Sequence, residues 1–178
     1  RTFTFKATRH PLVEEGYIII NSAQQLDAVR QDLSGKYALA CDIDLGGREW
    51  EPIGTREKPF KGLFDGCGYT ISNYKITGSW EYAGLFGNTQ NLTVKNLTVD
   101  GTVDVQNAKY VGGVVGSTGL IENCHNLGDI RVRSAVSDKT VRIGGVAGEC
   151  MTGAIRCSNR GNITADAGVM VSCGGIHG

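Results

Sequence analysis

A tetrapeptide of the form Gly-apolar-X-Gly recurs four times in this chain. The copies are Gly84-Leu85-Phe86-Gly87, Gly113-Val114-Val115-Gly116, Gly145-Val146-Ala147-Gly148 and Gly175-Ile176-His177-Gly178. Their first glycines are 29, 32 and 30 residues apart. A second motif interleaves with the first: Ile71-Ser72-Asn73-Tyr74-Lys75-Ile76-Thr77-Gly78, then Val94 to Gly101, Ile121 to Gly128 and, one residue shorter, Ile155 to Gly161. Units of this length cannot bury an apolar face alone, so they must stack on their neighbours.

Within each unit the apolar residues come in short β-branched runs separated by Gly, Asn, Asp or Ser. This is strand and turn chemistry rather than a helical period. The leucine framework of a leucine-rich repeat is absent, and a propeller blade needs roughly 40 residues. The pattern predicts a parallel β-helix with short strands stacked at about 4.8 Å. Tyr74, Leu97, Cys124 and Cys157 are expected at one inward position, and Val111, Ile143 and Cys173 at another. Asn73, Asn96 and Asn123 are expected at a bend, where an amide can bond backbone that the corner leaves unpaired. The 26 glycines among 178 residues fit a chain that turns every few residues, and 40% hydrophobic residues is too many for a disordered linker.

Residues 22–34 break the pattern. Ser22 with Gln25 forms a capping box, Leu26, Val29 and Leu33 share a helical face, and Gly35 is the expected stop. This short helix is expected to cap the first coil and hide a sheet edge. Next, Leu39, Cys41, Ile43 and Leu45 alternate inward. Residues 1–16 are expected to be a leader strand or the tail of a preceding domain, and 17–178 the β-helix domain. The chain opens on Arg1 and has no signal-peptide pattern, so a leader has been removed or the segment belongs to a longer polypeptide. Its last glycine motif ends at Gly178, which predicts further coils beyond.

Eighteen Lys and Arg balance eighteen Asp and Glu, so the electrostatic footprint of a nucleic-acid binder is missing. The longest apolar run, Tyr17 to Ile20, is too short to enter a membrane. Six cysteines, at 41, 67, 124, 150, 157 and 173, include no C-x-x-C pair, which argues against a zinc ribbon or redox motif. They are expected to be free, buried thiols, because side chains on adjacent parallel strands point the same way and do not converge.

With Tyr82-Ala83-Gly84-Leu85-Phe86-Gly87, Tyr110 to Gly116 and the two later copies in view, the chain resembles the GLUG-motif repeat proteins. The entry stretch is similar too: Asp42-Ile43-Asp44-Leu45, Trp50 to Gly54, and Phe60 to Gly66. The resemblance covers roughly residues 17–178. It implies a right-handed parallel β-helix in secreted or surface-attached bacterial proteins, including adhesin-like proteins of gut bacteria. Similar repeats precede the catalytic part of bacterial immunoglobulin A metallopeptidases. The resemblance brings no catalytic residues with it. His177, where an aliphatic residue is usual, and Cys67, where Asn is common, depart from the pattern.

Candidate chemistry is sparse. His10, His125 and His177 form no His-Glu-x-x-His. Asp42 and Asp44 are too few for a calcium shell and are expected to bond turns or water. Arg131, Arg133 and Arg142 could share a basic stripe, although zero net charge favours an ordinary solvated face. The Asn-x-Thr matches at 91, 96 and 162 are taken as coincidental, because Asn has a structural role in the repeat. Trp50 is expected in the core. Trp80, between two repeat motifs, and Tyr82 are the candidate binding residues. The sequence thus predicts a non-catalytic extracellular module of a surface protein, adhesin-like or a spacer, meeting a host glycan or protein without cofactor or metal. A carbohydrate-active β-helix enzyme and an accessory domain of an immunoglobulin A metallopeptidase are the alternatives.

Overall fold

A computed structural model describes residues 10–90, 92–135, 140–166 and 171–178. It shows an all-β solenoid of about four parallel coils with one short helix, the class expected from the repeat. All strand pairings among the described residues are parallel, joining each coil to the next. Of the expected leader, 1–16, residues 1–9 lie outside the described residues, and Pro11–Val13 form a 3-10 turn.

The coils build parallel ladders. The first contains Ile18–Ile20, Lys36–Leu39 and Leu63–Asp65, followed by the opening of Leu92–Ala108 and parts of Val115–Asn126 and Ala147–Ile155. The second runs through 43–44, 70–72, 98–100, 125–126 and 158–159. The third runs through 75–79, 102–106, Ile130–Ala135 and Ile163–Ala165. A separate four-stranded sheet joins Tyr82–Ala83, Tyr110–Val111, Val141–Gly144 and Val171–Gly174. The Gly-apolar-X-Gly motifs then turn the chain into a last ladder, where Phe86 pairs with Val115 and Val115 with Ala147.

A left-handed residue marks the corner between the first two ladders in successive coils: Cys67 (φ 52°), Asn96 (φ 53°), Asn123 (φ 50°) and Arg156 (φ 52°). Asn tolerates this conformation better than most side chains. Its amide also stitches the coils, as Asn123 Nδ2 donates to Asn96 Oδ1 at 2.9 Å and Asn96 Nδ2 to Asp65 Oδ1 at 3.0 Å. Asp65 also accepts the Cys67 N–H and lies 3.2 Å from Lys95 Nζ. Burial pushes the Asp65 pKa up, but these three partners outweigh it and hold the carboxyl below its usual range.

The register corrects one expected alignment. Ile71 pairs with Val99, and Lys75 with Thr102, so the stretch 71–78 lies one ladder beyond its expected place. Asn73 (φ 55°) turns the next corner, donating to Asp44 Oδ1, and Tyr74 is not in the Leu97–Cys124–Cys157 column. Both corners use an Asn in the left-handed region between short strands, so their local sequences look alike. Val111, Ile143 and Cys173 do align.

The core is aromatic at the N-terminal end and tapers. Phe86 packs 5.2 Å from Phe60 and 5.1 Å from Phe64, between ring centroids. In later coils Phe64 gives way to Val94, Ile121 and Ala154, and Val99 to Asn126 and Asn159. Asn126, fully inside, bonds both the N–H and the C=O of Gly128 and the Oδ1 of Asn159. Tyr74 is also fully buried and donates its hydroxyl to Gly113 O at 3.0 Å. Burial raises its pKa.

The six thiols are unbridged, but the expectation that all are interior is corrected. Only Cys124 is buried. Cys67 turns a corner, Cys173 is exposed in the last coil, and the other three are half-buried. The helix is also shorter than expected. It spans Ala23–Asp27 and continues as a 3-10 turn over Ala28–Gln31. Ser22 Oγ accepts the Gln25 N–H, while Gln25 Oε1 reaches back to the Asn21 N–H. Leu26 and Val29 are fully buried against the first coil. Arg30 lies 4.6 Å over the Trp50 ring and bonds the Glu51 and Pro52 carbonyls, tying this segment to the solenoid. Trp50 is in the core as expected, its indole N–H on Leu85 O.

Candidate functional site

The side chains that face outward on the four-stranded sheet are set by the register of its rungs. Tyr82 pairs with Tyr110, Tyr110 with Arg142, and Arg142 with Ser172, so these four side chains form one column. The two tyrosine rings stack at 5.1 Å with an interplanar angle of 24°. Lys109 Nζ lies 4.8 Å and the Arg142 guanidinium 5.7 Å from the Tyr110 ring centroid. Both cations sit within the range at which an aromatic quadrupole attracts positive charge. Arg142 also pairs with Glu149, which accepts from Ser117 Oγ. Burial, followed by the nearby Glu81 charge, holds the Tyr82 phenol above its usual pKa.

Trp80 lies just before this column, in the turn from the third ladder into the sheet. It is half-buried, and its indole N–H donates to Thr77 O at 2.8 Å, which fixes the ring. Trp80 and Tyr82 line a shallow cleft of about 100 Å³ with Pro52, Thr55, Arg56 and Glu81. Arg56 and Glu81 form an ion pair at 3.6 Å on its rim. The cleft therefore offers an aromatic wall with donors and acceptors at its edge, a combination suited to binding.

Sequence reasoning placed Trp80 and Tyr82 but missed Tyr110 and Arg142 as their neighbours. The signal was present, since Tyr82 and Tyr110 both stand two residues before the first glycine of Tyr82-Ala83-Gly84 and Tyr110-Val111-Gly112.

Other candidates resolve into pairing between coils. Arg131 and Arg133 share a strand and pair with Asp166 and Asp104, whereas Arg142 is on the separate sheet, so the three make no stripe. Asp42 and Asp44 are exposed and accept from the Thr70 and Gly46 N–H groups. His125 Nδ1 and Ser158 Oγ lie 2.8 Å apart on adjacent rungs. Of the Asn-x-Thr matches, Asn91 lies outside the described residues, while Asn96 and Asn162 hydrogen-bond to Asp65 and Asp129. Among the described residues no group of three or more His, Cys, Asp or Glu is placed to hold a metal ion. No helix among them is long and apolar enough to cross a membrane.

Comparison with known proteins agrees with the repeat. The chain is 37% identical over 123 residues, 62% of its length, to a Gly-rich membrane protein of Evansella cellulosilytica. It is 32% identical over 151 residues, 73% of its length, to halomucin of Haloquadratum walsbyi. It spans only 14% and 2% of those relatives. No solved structure matches. The GLUG motif family matches residues 107–131, which include the Tyr110–Val111 strand, its glycine turn and the Asn123 corner, so the chain carries this motif there.

Proposed function

We propose that this chain is a non-catalytic interaction module of a cell-surface protein, adhesin-like in role, with its binding edge at Trp80, Tyr82 and Tyr110. The observation that carries this reading is the column of Tyr82, Tyr110 and Arg142 beside the Trp80 cleft. There a regular solenoid gathers three aromatic rings and three cations, Arg56, Lys109 and Arg142, at one edge. Aromatic and Arg side chains dominate binding energy at interfaces. The names of the two relatives, a membrane protein and halomucin, support a surface location. The partner is a glycan or protein, and no cofactor takes part.

The test has two arms. The purified chain is incubated with acidic polysaccharides, with and without calcium, and with immunoglobulin A. Unsaturated sugar products or antibody fragments, abolished by a single substitution, would show that the module is an enzyme. In the second arm, a glycan array and mucin-coated surfaces are probed with wild-type and Trp80→Ala protein. Binding without turnover that weakens in Trp80→Ala is expected. Binding unaffected by Trp80→Ala and Tyr110→Ala would move the site elsewhere.

A further inference from the structure

The corner between the second and third ladders has an open groove that none of the preceding roles uses. Its floor contains Gly47, Gly101 and Gly128, and its volume is about 250 Å³, larger than the Trp80 cleft. At two of these glycines a side chain is sterically excluded. A Cβ on Gly101 would sit 2.5 Å from the Tyr74 ring, and one on Gly128 would sit 1.8 Å from Gly101 O. One bank presents Asn73, Asp100 and Leu127, the other Lys75, Thr102 and Asp129, all exposed.

Part of the banks differs from the surface around them. On these ladders Glu49 pairs with Thr77, Asp104 with Arg133 and Arg131 with Asp166 from coil to coil, and two bank residues do the same, Asn73 with Asp44 and Asp129 with Asn162. Lys75, Asp100 and Thr102 make no such side-chain hydrogen bond or ion pair among the described residues. Leu127, 40% exposed, is one of few large apolar side chains left open to solvent. The groove thus holds an unpaired ammonium donor, an unpaired carboxylate acceptor, a hydroxyl and an apolar patch across three successive coils.

We propose that this groove binds an uncharged, hydroxyl-rich linear glycan lying along the solenoid axis. Sugar hydroxyls both donate to a carboxylate and accept from an ammonium, and the C–H face of a pyranose packs on an apolar side chain. Two carboxylates against one ammonium disfavour a polyanion. An extended peptide is disfavoured as well. It would bind by adding a strand to a free ladder, and the strands on both banks are already hydrogen-bonded to neighbouring coils. The site is separate from the Trp80 edge and does not depend on it.

The test uses the 178-residue chain labelled with 15N and titrated with cellohexaose, mannohexaose, maltohexaose and, as the anionic counterpart, hexagalacturonate. At least one neutral hexasaccharide is expected to shift the backbone amides of Gly101, Thr102 and Gly128 in a saturable way. Asp100→Ala and Lys75→Ala, with wild-type circular dichroism, are each expected to weaken that binding by about tenfold. Trp80→Ala is expected to leave it unchanged. The inference is overturned if no neutral sugar shifts these amides, if only hexagalacturonate does, or if both groove variants bind within twofold of wild type. Binding lost only in Trp80→Ala would overturn it too, while leaving the proposed function standing.

Discussion

Gly128→Ala should destabilise the solenoid through space alone. The backbone at Gly128 is not left-handed, so Ala can adopt its conformation, but the new Cβ would lie 1.8 Å from Gly101 O and 2.6 Å from Gly101 N. Carbon and oxygen approach no closer than about 3.3 Å even in weak C–H···O contacts, so the two coils must part by about 1.5 Å there. Several bonds sit at that point. Leu127 N donates to Val99 O at 2.8 Å, Val103 N to Asp129 O at 3.0 Å, and Asn126 bonds both Gly128 N and Gly128 O. The first two join the coils and are lost as they part, at roughly 1 kcal/mol each, which gives about 2 kcal/mol, a sizeable share of a domain's total stability. Gly68→Ala is the control. Its φ of +83° is left-handed, yet nothing lies within 4 Å of the new Cβ, so only conformational strain of about 1 kcal/mol is expected. Urea titrations followed by far-UV circular dichroism measure both variants. If Gly128→Ala stays within about 1 kcal/mol of wild type, or is milder than Gly68→Ala, the steric reasoning fails.

Three further outcomes follow from buried polar groups. The Asp65 carboxyl is held below its usual pKa in the fold, so the unfolded chain binds its proton more readily; the stability it adds is present above about pH 4 and is lost as pH falls through the folded value. Asp65→Asn should therefore flatten the acid side of a pH-stability curve, and an unchanged acid limb would contradict this. Asn126→Ala strands the N–H and C=O of Gly128 inside the coil and should cost about 2–3 kcal/mol in the same urea titration, where a neutral effect would rule out an interior amide ladder. In native alkylation at pH 8, exposed Cys173 should react first and buried Cys124 only on unfolding. Cys67, whose thiol is pushed up to about 11 by burial and the Asp65 charge, should lag an ordinary thiol by about two orders of magnitude; equal rates for Cys67 and Cys173 would refute that environment.

The parallel stack was legible because glycine columns leave a steric trace in the sequence. Gly87, Gly116 and Gly148 recur since a Cβ on each would meet the carbonyl of Gly54, Gly87 or Gly116 in the coil below. The assignment of corners was less legible. Asn73 and Asn96 have the same left-handed conformation and similar neighbours, and only the hydrogen-bond register separates them. The extent of the helix was also hidden. The capping box fixed its start, but nothing local shows that the second turn tightens to a 3-10 form where Arg30 reaches the Glu51 and Pro52 carbonyls. Within the candidate site, Trp80 and Tyr82 could be picked by residue type. Their grouping with Tyr110 and Arg142 depends on a rung register in which one coil inserts Gly113 and the previous one does not.

The same register limits what chemistry this surface can host. On a parallel ladder, equivalent side chains point the same way, so each meets only its neighbours one rung above and below. That geometry yields pairs: His125 with Ser158, Arg131 with Asp166, Asn96 with Asn123. A catalytic constellation needs three or more groups converging on one point from different directions, such as a nucleophile, a base and the group that orients the base. His125 and Ser158 have the first contact, but among the described residues no carboxylate bonds the other ring nitrogen. Convergence is available only at corners, where side chains from two faces meet. Both clefts are there, one at the Trp80 turn and one over the Gly101–Gly128 floor. Neither cleft is lined by a histidine or a thiol, and both are lined by donors, acceptors and apolar surface in fixed positions. Corners of this composition suit the binding proposed above, and substitutions at the corner residues would leave untouched the glycine columns that hold the coils together.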